Sequence, residues 1–164
     1  MDYLWAPWRM EYISRERNDS HECVFCVKWK DKKSDRKNLV LYRDEDIYVV
    51  MNLYPYTNGH LLICSNQHID SLDGFSQKTM GRVMDLSREC MAILKVIMNP
   101  DGFNFGANLG KAGGAGIAEH IHFHVVPRWK SDTNFMPVIG QSKVIMDGLY
   151  DTYAKLKPQF DNIK

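Results

Sequence analysis

Long apolar runs are absent from these 164 residues, and no stretch reaches the length a helix needs to cross a bilayer, which excludes a membrane-spanning protein. Cysteine is sparse. Four residues, Cys23, Cys26, Cys64 and Cys90, are too few for the disulfide framework of a small secreted domain. Charge of one sign is also lacking: the net charge of +1 gives no general field for polyanions, so neither a nucleic-acid partner nor a membrane surface is expected. Lys28, Lys30, Lys32, Lys33, Arg36 and Lys37 do concentrate positive charge locally, in what reads as a solvated loop. Met1-Asp2-Tyr3-Leu4-Trp5 shows neither a basic leader nor an apolar secretory core, which makes the cytoplasm the expected compartment. Internal repeats and low-complexity tracts are missing too.

What remains is the composition of an ordinary globular domain, expected to be one unit over 1–164. Residues 1–22 form an arm in this reading, with two tryptophans to bury in Leu4-Trp5-Ala6-Pro7-Trp8-Arg9. Residues 143–164 form a C-terminal helix and tail. Between them, Leu39 to Arg43, Ile47 to Asn52 and His60 to Ser65 read as strands, the first two joined as a hairpin through Asp44-Glu45-Asp46. Ser76 is a good N-cap for a long helix whose Met80, Val83, Met84, Ser87, Met91, Leu94 and Met98 keep helical spacing until Pro100-Asp101-Gly102. Its methionines are expected to fill core. Phe103 to Asn108 and His120 to Val126 are two more strands, and a last amphipathic helix runs from about Ser142 to Lys157, stopped by Pro158. Strands bracketing one long helix predict an α+β fold on a largely antiparallel five-stranded sheet.

The chemistry concentrates in His120-Ile121-His122-Phe123-His124-Val125-Val126. Successive strand side chains alternate, so the three imidazoles are expected on one face, with Ile121, Phe123 and Val125 on the other. A neutral imidazole is a nucleophile near pH 7 and brings no negative charge toward a phosphoryl centre. Three histidines can equally converge on a metal ion. Gly110-Lys111-Ala112-Gly113-Gly114-Ala115-Gly116 can offer backbone N–H groups to phosphate, although it lacks the Gly-Lys-Ser/Thr order of a Walker loop and joins two strands. Cys23 and Cys26 have the spacing of a metal half-site, while Cys64 and Cys90 fall where free cysteines act as small buried hydrophobes.

This pattern resembles the histidine-triad (HIT) family, a likeness that extends to Asn52, the Gly59-His60 pair, the long helix, Asn108-Leu109-Gly110 and Pro127-Arg128. The resemblance implies a HIT-like fold in which His122 is the nucleophile that takes a nucleoside monophosphate. It implies that His124 binds and orients the α-phosphate with support from His60, that Asn52 contacts the ribose, and that Asn108 lies beside the phosphate and leaving group. Gly110, Lys111, Gly114 and Gly116 would line the phosphate. Many family members carry Gln-Ser or Gln-Thr where this chain has Gly116-Ile117, so the leaving-group acid is left to backbone donors or Lys111.

Leu4 to Met10, Ala115 to Ala118 and Pro127-Arg128-Trp129 through Phe135 resemble the bacterial diadenosine tetraphosphate phosphorylases of the family, in which orthophosphate is the acceptor and Trp129 is a candidate for substrate contact. The family also implies a structural zinc ion on Cys23, Cys26, His68 and His120, with His21 as a lesser alternative ligand, and a homodimer. The competing readings are a purine nucleoside phosphoramidase, a diadenosine tetraphosphate hydrolase and a non-catalytic nucleotide-binding module. Ile121 and Phe123 argue against a galactose-1-phosphate uridylyltransferase, which has proline between its histidines. A DNA-adenylate repair enzyme would need a basic surface that is not visible.

Overall fold

The computed structural model describes residues 22–130, 132 and 147–163. Residues 1–21 of the expected N-terminal arm, with His21, and most of the chain between Trp129 and the last helix therefore lie outside the described residues. Five strands form one sheet: β1 (Val40–Arg43), β2 (Ile47–Met51), β3 (Leu61–Ser65), β4 (Gly102–Ala107) and β5 (His122–Arg128). Their order is β1-β2-β3-β5-β4, and every pair is antiparallel. This is the predicted α+β architecture.

The helices distribute over the two faces. Helix α1 (Val24–Lys30) is followed by the short α2 (Asp35–Asn38). The long α3 (Gln77–Met98) begins at Ser76, whose side chain accepts the Thr79 backbone N–H. Val83, Leu86, Cys90 and Leu94 form its buried stripe at three- and four-residue spacing, packed against the sheet. Met80, Met91 and Met98 pack at its margins as expected, but Met84 is 54% exposed, because the helix turns that position away from the stripe. The last helix, α4 (Leu149–Phe160), buries Tyr153, Leu156 and Phe160, and the Tyr153 hydroxyl donates to the Val40 carbonyl.

Pro158 does not stop α4 as the sequence suggested. It lies inside the last turn, where it forfeits one backbone bond, while fully buried Phe160 holds the next residues in helical conformation. The N-terminal part of that expected helix, from Ser142, is outside the described residues, and Gly148 is the observed N-cap.

The register builds the site. Tyr48, Cys64 and His122 are cross-strand neighbours in one row, and Val50, Leu62, His124 and Gly106 in the next, so both rows share a face. Helix α1 covers the first row: the Phe25 ring lies 4.9 Å from that of His122, and Trp29 lies 5.6 Å from Tyr48. On the opposite face Phe123 packs between Phe75 and Phe105. Gly59 makes the turn into β3 with φ of +75°, a backbone conformation that favours glycine, and a Cβ there would have to displace Met98 Sδ, 2.6 Å away.

Candidate active site and metal centre

The strand that carries the histidines starts later than its alternation predicts. His120 and Ile121 precede β5, because the Ile121 N–H donates to the Ile69 carbonyl at 2.7 Å and His120 Nε2 pairs with the Ser65 carbonyl at 3.0 Å. The three imidazoles therefore do not form one row. His122 and His124 stay together on the strand, rings 5.0 Å apart, while His120 turns toward Cys23 and Cys26.

Each nitrogen has a definable proton state. His122 Nδ1 lies 2.8 Å from the His120 carbonyl, an acceptor only, so Nδ1 carries the hydrogen and Nε2 keeps the lone pair. Burial lowers the His122 pKa below the usual histidine value, partly offset by that bond, and the ring is neutral at pH 7. His60, itself buried, receives the Tyr56 backbone N–H at Nδ1 at 3.1 Å, with the Asn52 side-chain nitrogen 3.3 Å away. Its proton is then on Nε2, which lies 2.9 Å from His124 Nδ1 and donates to it. His124 in turn carries its proton on Nε2. One nucleophilic nitrogen and one donor nitrogen thus stand on adjacent rows of the same face.

The second cluster joins three separated parts of the chain. Cys23, Cys26, His68 and His120 each offer one ligand atom, and all four atoms lie within 4.8 Å of one another. His120 Nδ1 is 3.4 Å from Cys23 Sγ and 3.5 Å from Cys26 Sγ, and His68 Nδ1 is 3.4 Å from Cys26 Sγ. Because His120 Nε2 donates to Ser65, its Nδ1 lone pair is the one left for a cation. Burial and the adjacent Cys23 push the Cys26 thiol above its ordinary pKa, the expected cost of two neighbouring thiolates, and a divalent cation removes it.

A HIT domain match covers residues 33–131, more than half of the chain. The chain belongs to the HIT domain family. An AP-4-A phosphorylase of Mycobacterium tuberculosis is 38% identical over 162 residues, 96% of this chain and 83% of that protein. A bis(5'-adenosyl)-triphosphatase of Dictyostelium discoideum is 25% identical over 59% of this chain and 64% of its own. Among solved structures, a Zn-bound histidine triad family protein from Mycobacterium smegmatis superposes with a TM-score of 0.68 at 23% identity, covering 85% of this chain and 94% of that one, and shows the same fold. The HIT match takes in the sheet and the histidines but starts after Cys23, Phe25 and Cys26.

The other candidate residues of this HIT chain are less closely gathered. Asn52 sits beside His60 and accepts the Tyr54 N–H, so it belongs to the histidine cluster. Asn108 follows Ala107, the partner of Phe123, which brings it level with His122; its side chain donates to the Gly114 carbonyl at 3.4 Å. Gly110, Lys111 and Gly114 are exposed and Gly116 half-buried, in a loop closed on itself by Gly114 N–H to Lys111 and Ala115 N–H to Gly110. Those two N–H groups are already committed within the loop. Trp129 lies beyond the far end of β5, five residues from His124, which at a rise of about 3.3 Å per residue is roughly 16 Å along the strand.

Three residues escaped the sequence reading. Phe25 packs on His120 and His122, Tyr56 stacks on His124 with ring centroids 5.7 Å apart, and Gly113 cannot take a side chain because a Cβ would lie 2.2 Å from the Leu109 carbonyl oxygen. The aromatic pair gives no periodic signal, being set by which loops fold back over the strand. Gly113 was visible as one more glycine of a rich loop.

Proposed function

We propose that this protein is a nucleotidyl transferase that cleaves diadenosine polyphosphates through a covalent nucleotidyl group on His122, with orthophosphate as the acceptor. The observation that carries the reading is the bond between His122 Nδ1–H and the His120 carbonyl, which holds a neutral, buried imidazole with its lone pair on Nε2. In the first step that lone pair forms a bond to the α-phosphorus, and the bond from phosphorus to the bridging oxygen breaks, its electron pair leaving with the nucleoside polyphosphate. In the second, an orthophosphate oxygen attacks the same phosphorus and the P–N electron pair returns to Nε2. His124, with its proton on Nε2 and its other nitrogen held by His60, supplies a fixed donor for the charge that develops on the phosphoryl oxygens. Asn52 serves the ribose. Asn108 and the Gly110–Gly116 loop, with Lys111, serve the polyphosphate, and Trp129 is a candidate contact for its distal part.

Zinc is the ion that suits the Cys23, Cys26, His68 and His120 set. Bonds of about 2.3 Å to sulfur and about 2.0 Å to nitrogen put neighbouring ligand atoms of a tetrahedron about 3.3 to 3.8 Å apart, and the closest ligand pairs here are separated by 3.4 to 3.5 Å. Two thiolates and two imidazoles make a closed site, so when bound the ion holds structure together and offers no position to substrate. The similarity to an AP-4-A phosphorylase over nearly the whole chain supports the substrate class. A cytoplasmic homodimer completes the reading, with β4 at the sheet edge and its Phe105 exposed; sedimentation of the purified protein tests the dimer.

Diadenosine tetraphosphate incubated with and without orthophosphate decides the activity. Continuous formation of ATP and ADP with phosphate, and without it a single equivalent of ATP released as one equivalent of AMP stays on His122, is the expected result. Free AMP and ATP formed regardless of phosphate would make the protein a hydrolase, like the named triphosphatase relative, and no cleavage under either condition would overturn the reading.

A further inference from the structure

We infer that Phe25 is a positioning residue for the nucleophile: its ring, fixed at both ends by other parts of the fold, holds the His122 imidazole in its attacking orientation. This role rests on His122 being the nucleophile proposed above. The imidazole has one described hydrogen bond, from Nδ1 to the His120 carbonyl, and a single neutral bond leaves the ring free to rotate about Cβ–Cγ unless packing opposes it. Phe25 supplies that packing from α1, alongside the His124 ring 5.0 Å from that of His122. It is 5% exposed, with its ring centroid 4.9 Å from that of His122 and 5.2 Å from that of His120, tilted against each.

Phe25 is itself immobilised by two contacts that do not involve substrate. It lies between Cys23 and Cys26, whose sulfurs approach His120, so its backbone is bracketed by the cluster. Its carbonyl accepts a 2.8 Å hydrogen bond from the hydroxyl of Tyr48, a fully buried residue in the same cross-strand row as His122. Tyr48 is in turn flanked by Trp29 from the far end of α1. The residue inside the C-x-x-C motif thus transmits the rigidity of the cluster and the sheet to the reacting ring, since a displacement of about 1 Å in a reacting group is enough to cost on the order of 100-fold in rate.

Phe25→Leu keeps an apolar side chain of similar reach but removes the flat ring, and Leu156→Ala opens a cavity at a fully buried position of α4, a helix that packs on α3 and β1. Both are to be compared with the wild type for kcat, KM, bound zinc and melting temperature. In parallel, long-range proton–nitrogen correlation of the His122 ring nitrogens is recorded without substrate. The expected result is a fall in kcat on the order of 10-fold or more for Phe25→Leu with KM and zinc content unchanged. Its His122 nitrogen signals move from one protonated Nδ1 toward averaged values, while Leu156→Ala lowers the melting temperature but leaves kcat and the signals in place.

Wild-type kcat in Phe25→Leu, loss of kcat in proportion to lost zinc, or the same loss of kcat in Leu156→Ala would each overturn the assignment, the last two by making the effect one of general structure. If the wild type cleaves no nucleotide, the nucleophile reading fails on its own. The nitrogen spectra then still report whether Phe25 orders the ring.

Discussion

An imidazole attacks phosphorus only through the nitrogen that has no proton, and for His122 the His120 carbonyl makes that choice by accepting the Nδ1 hydrogen. His122→Ala removes the only atom proposed to bond phosphorus. Turnover of diadenosine tetraphosphate should fall on the order of 10⁴-fold or more while AMP binding, followed by calorimetry, changes by less than about tenfold. A variant that still turns over near the wild-type rate would move the nucleophile elsewhere. Gly113 offers a second test at this scale. Its Cβ would strike the Leu109 carbonyl oxygen at 2.2 Å, so Gly113→Ala must shift the loop backbone. The residue is exposed, so the expected stability cost in urea is only about 1 kcal/mol, whereas kcat/KM should drop about tenfold if the loop holds the polyphosphate. The sequence showed the identities of these groups but not their proton states. Alternation of side chains says which face a histidine takes, whereas tautomers follow from partners such as the Tyr56 N–H and the His120 carbonyl, supplied by loop conformations that carry no period.

Elements were legible where one face is buried and the other is not, or where an end has its own chemistry. The Val83, Leu86, Cys90 and Leu94 stripe and the Ser76 cap announce α3, and the apolar runs of β2 and β3 announce central strands, every residue of which is buried. Boundaries set by tertiary contacts were not legible: Ile69 draws His120 and Ile121 off the start of β5, and Phe160 carries α4 past Pro158. The joints between elements rest on two arginines. Arg43 in β1 donates to the Lys28 and Trp29 carbonyls near the end of α1 and to the Asp31 carbonyl just beyond it, and pairs with Asp35 through Nε and Nη2. A lysine has no planar fork to satisfy those acceptors together, so Arg43→Lys should lower unfolding free energy by about 2 kcal/mol in urea titration. Arg82 of α3 holds Asp44 at the β1–β2 turn. Partial burial alone would raise the Asp44 pKa, but the Arg82 guanidinium outweighs it and keeps the carboxyl below its ordinary value. A depressed carboxylate binds fewer protons folded than unfolded, so its stabilisation is full above about pH 4 and disappears as pH falls through the lower folded value. Urea midpoints measured from about pH 5 to 3 should therefore fall more steeply for the wild type than for Asp44→Asn. Parallel slopes would show that the pair adds nothing.

At the scale of the molecule, the four-ligand cluster is, among the described residues, the one place where α1, the segment after β3 and the segment before β5 meet through side chains able to share an ion. Cys26 is separated from His68 by 42 positions and from His120 by 94, so an ion held there closes two long loops. Closing loops of this length restricts the unfolded chain much as a disulfide does, by about 4 kcal/mol. The same cluster sits one residue from Phe25 and two from His122, so an ion bound there would also order the proposed active site. Metal removal should accordingly act on stability first. Stripping with a strong chelator is expected to release one zinc per chain and lower the melting temperature by roughly 10 °C for a protein of this size. Cys26→Ser should reproduce that loss without chelator, because a hydroxyl is a poor replacement for a thiolate ligand. Cys90→Ala, at a fully buried position on α3 away from the cluster, should keep its zinc and its response to chelator. Element analysis with calorimetry on the three proteins checks this. If the wild type contains no zinc and chelation leaves its melting temperature unmoved, the clamp is only a pair of thiols beside two imidazoles, and the rigidity of α1 must come from the Tyr48 and Arg43 contacts alone.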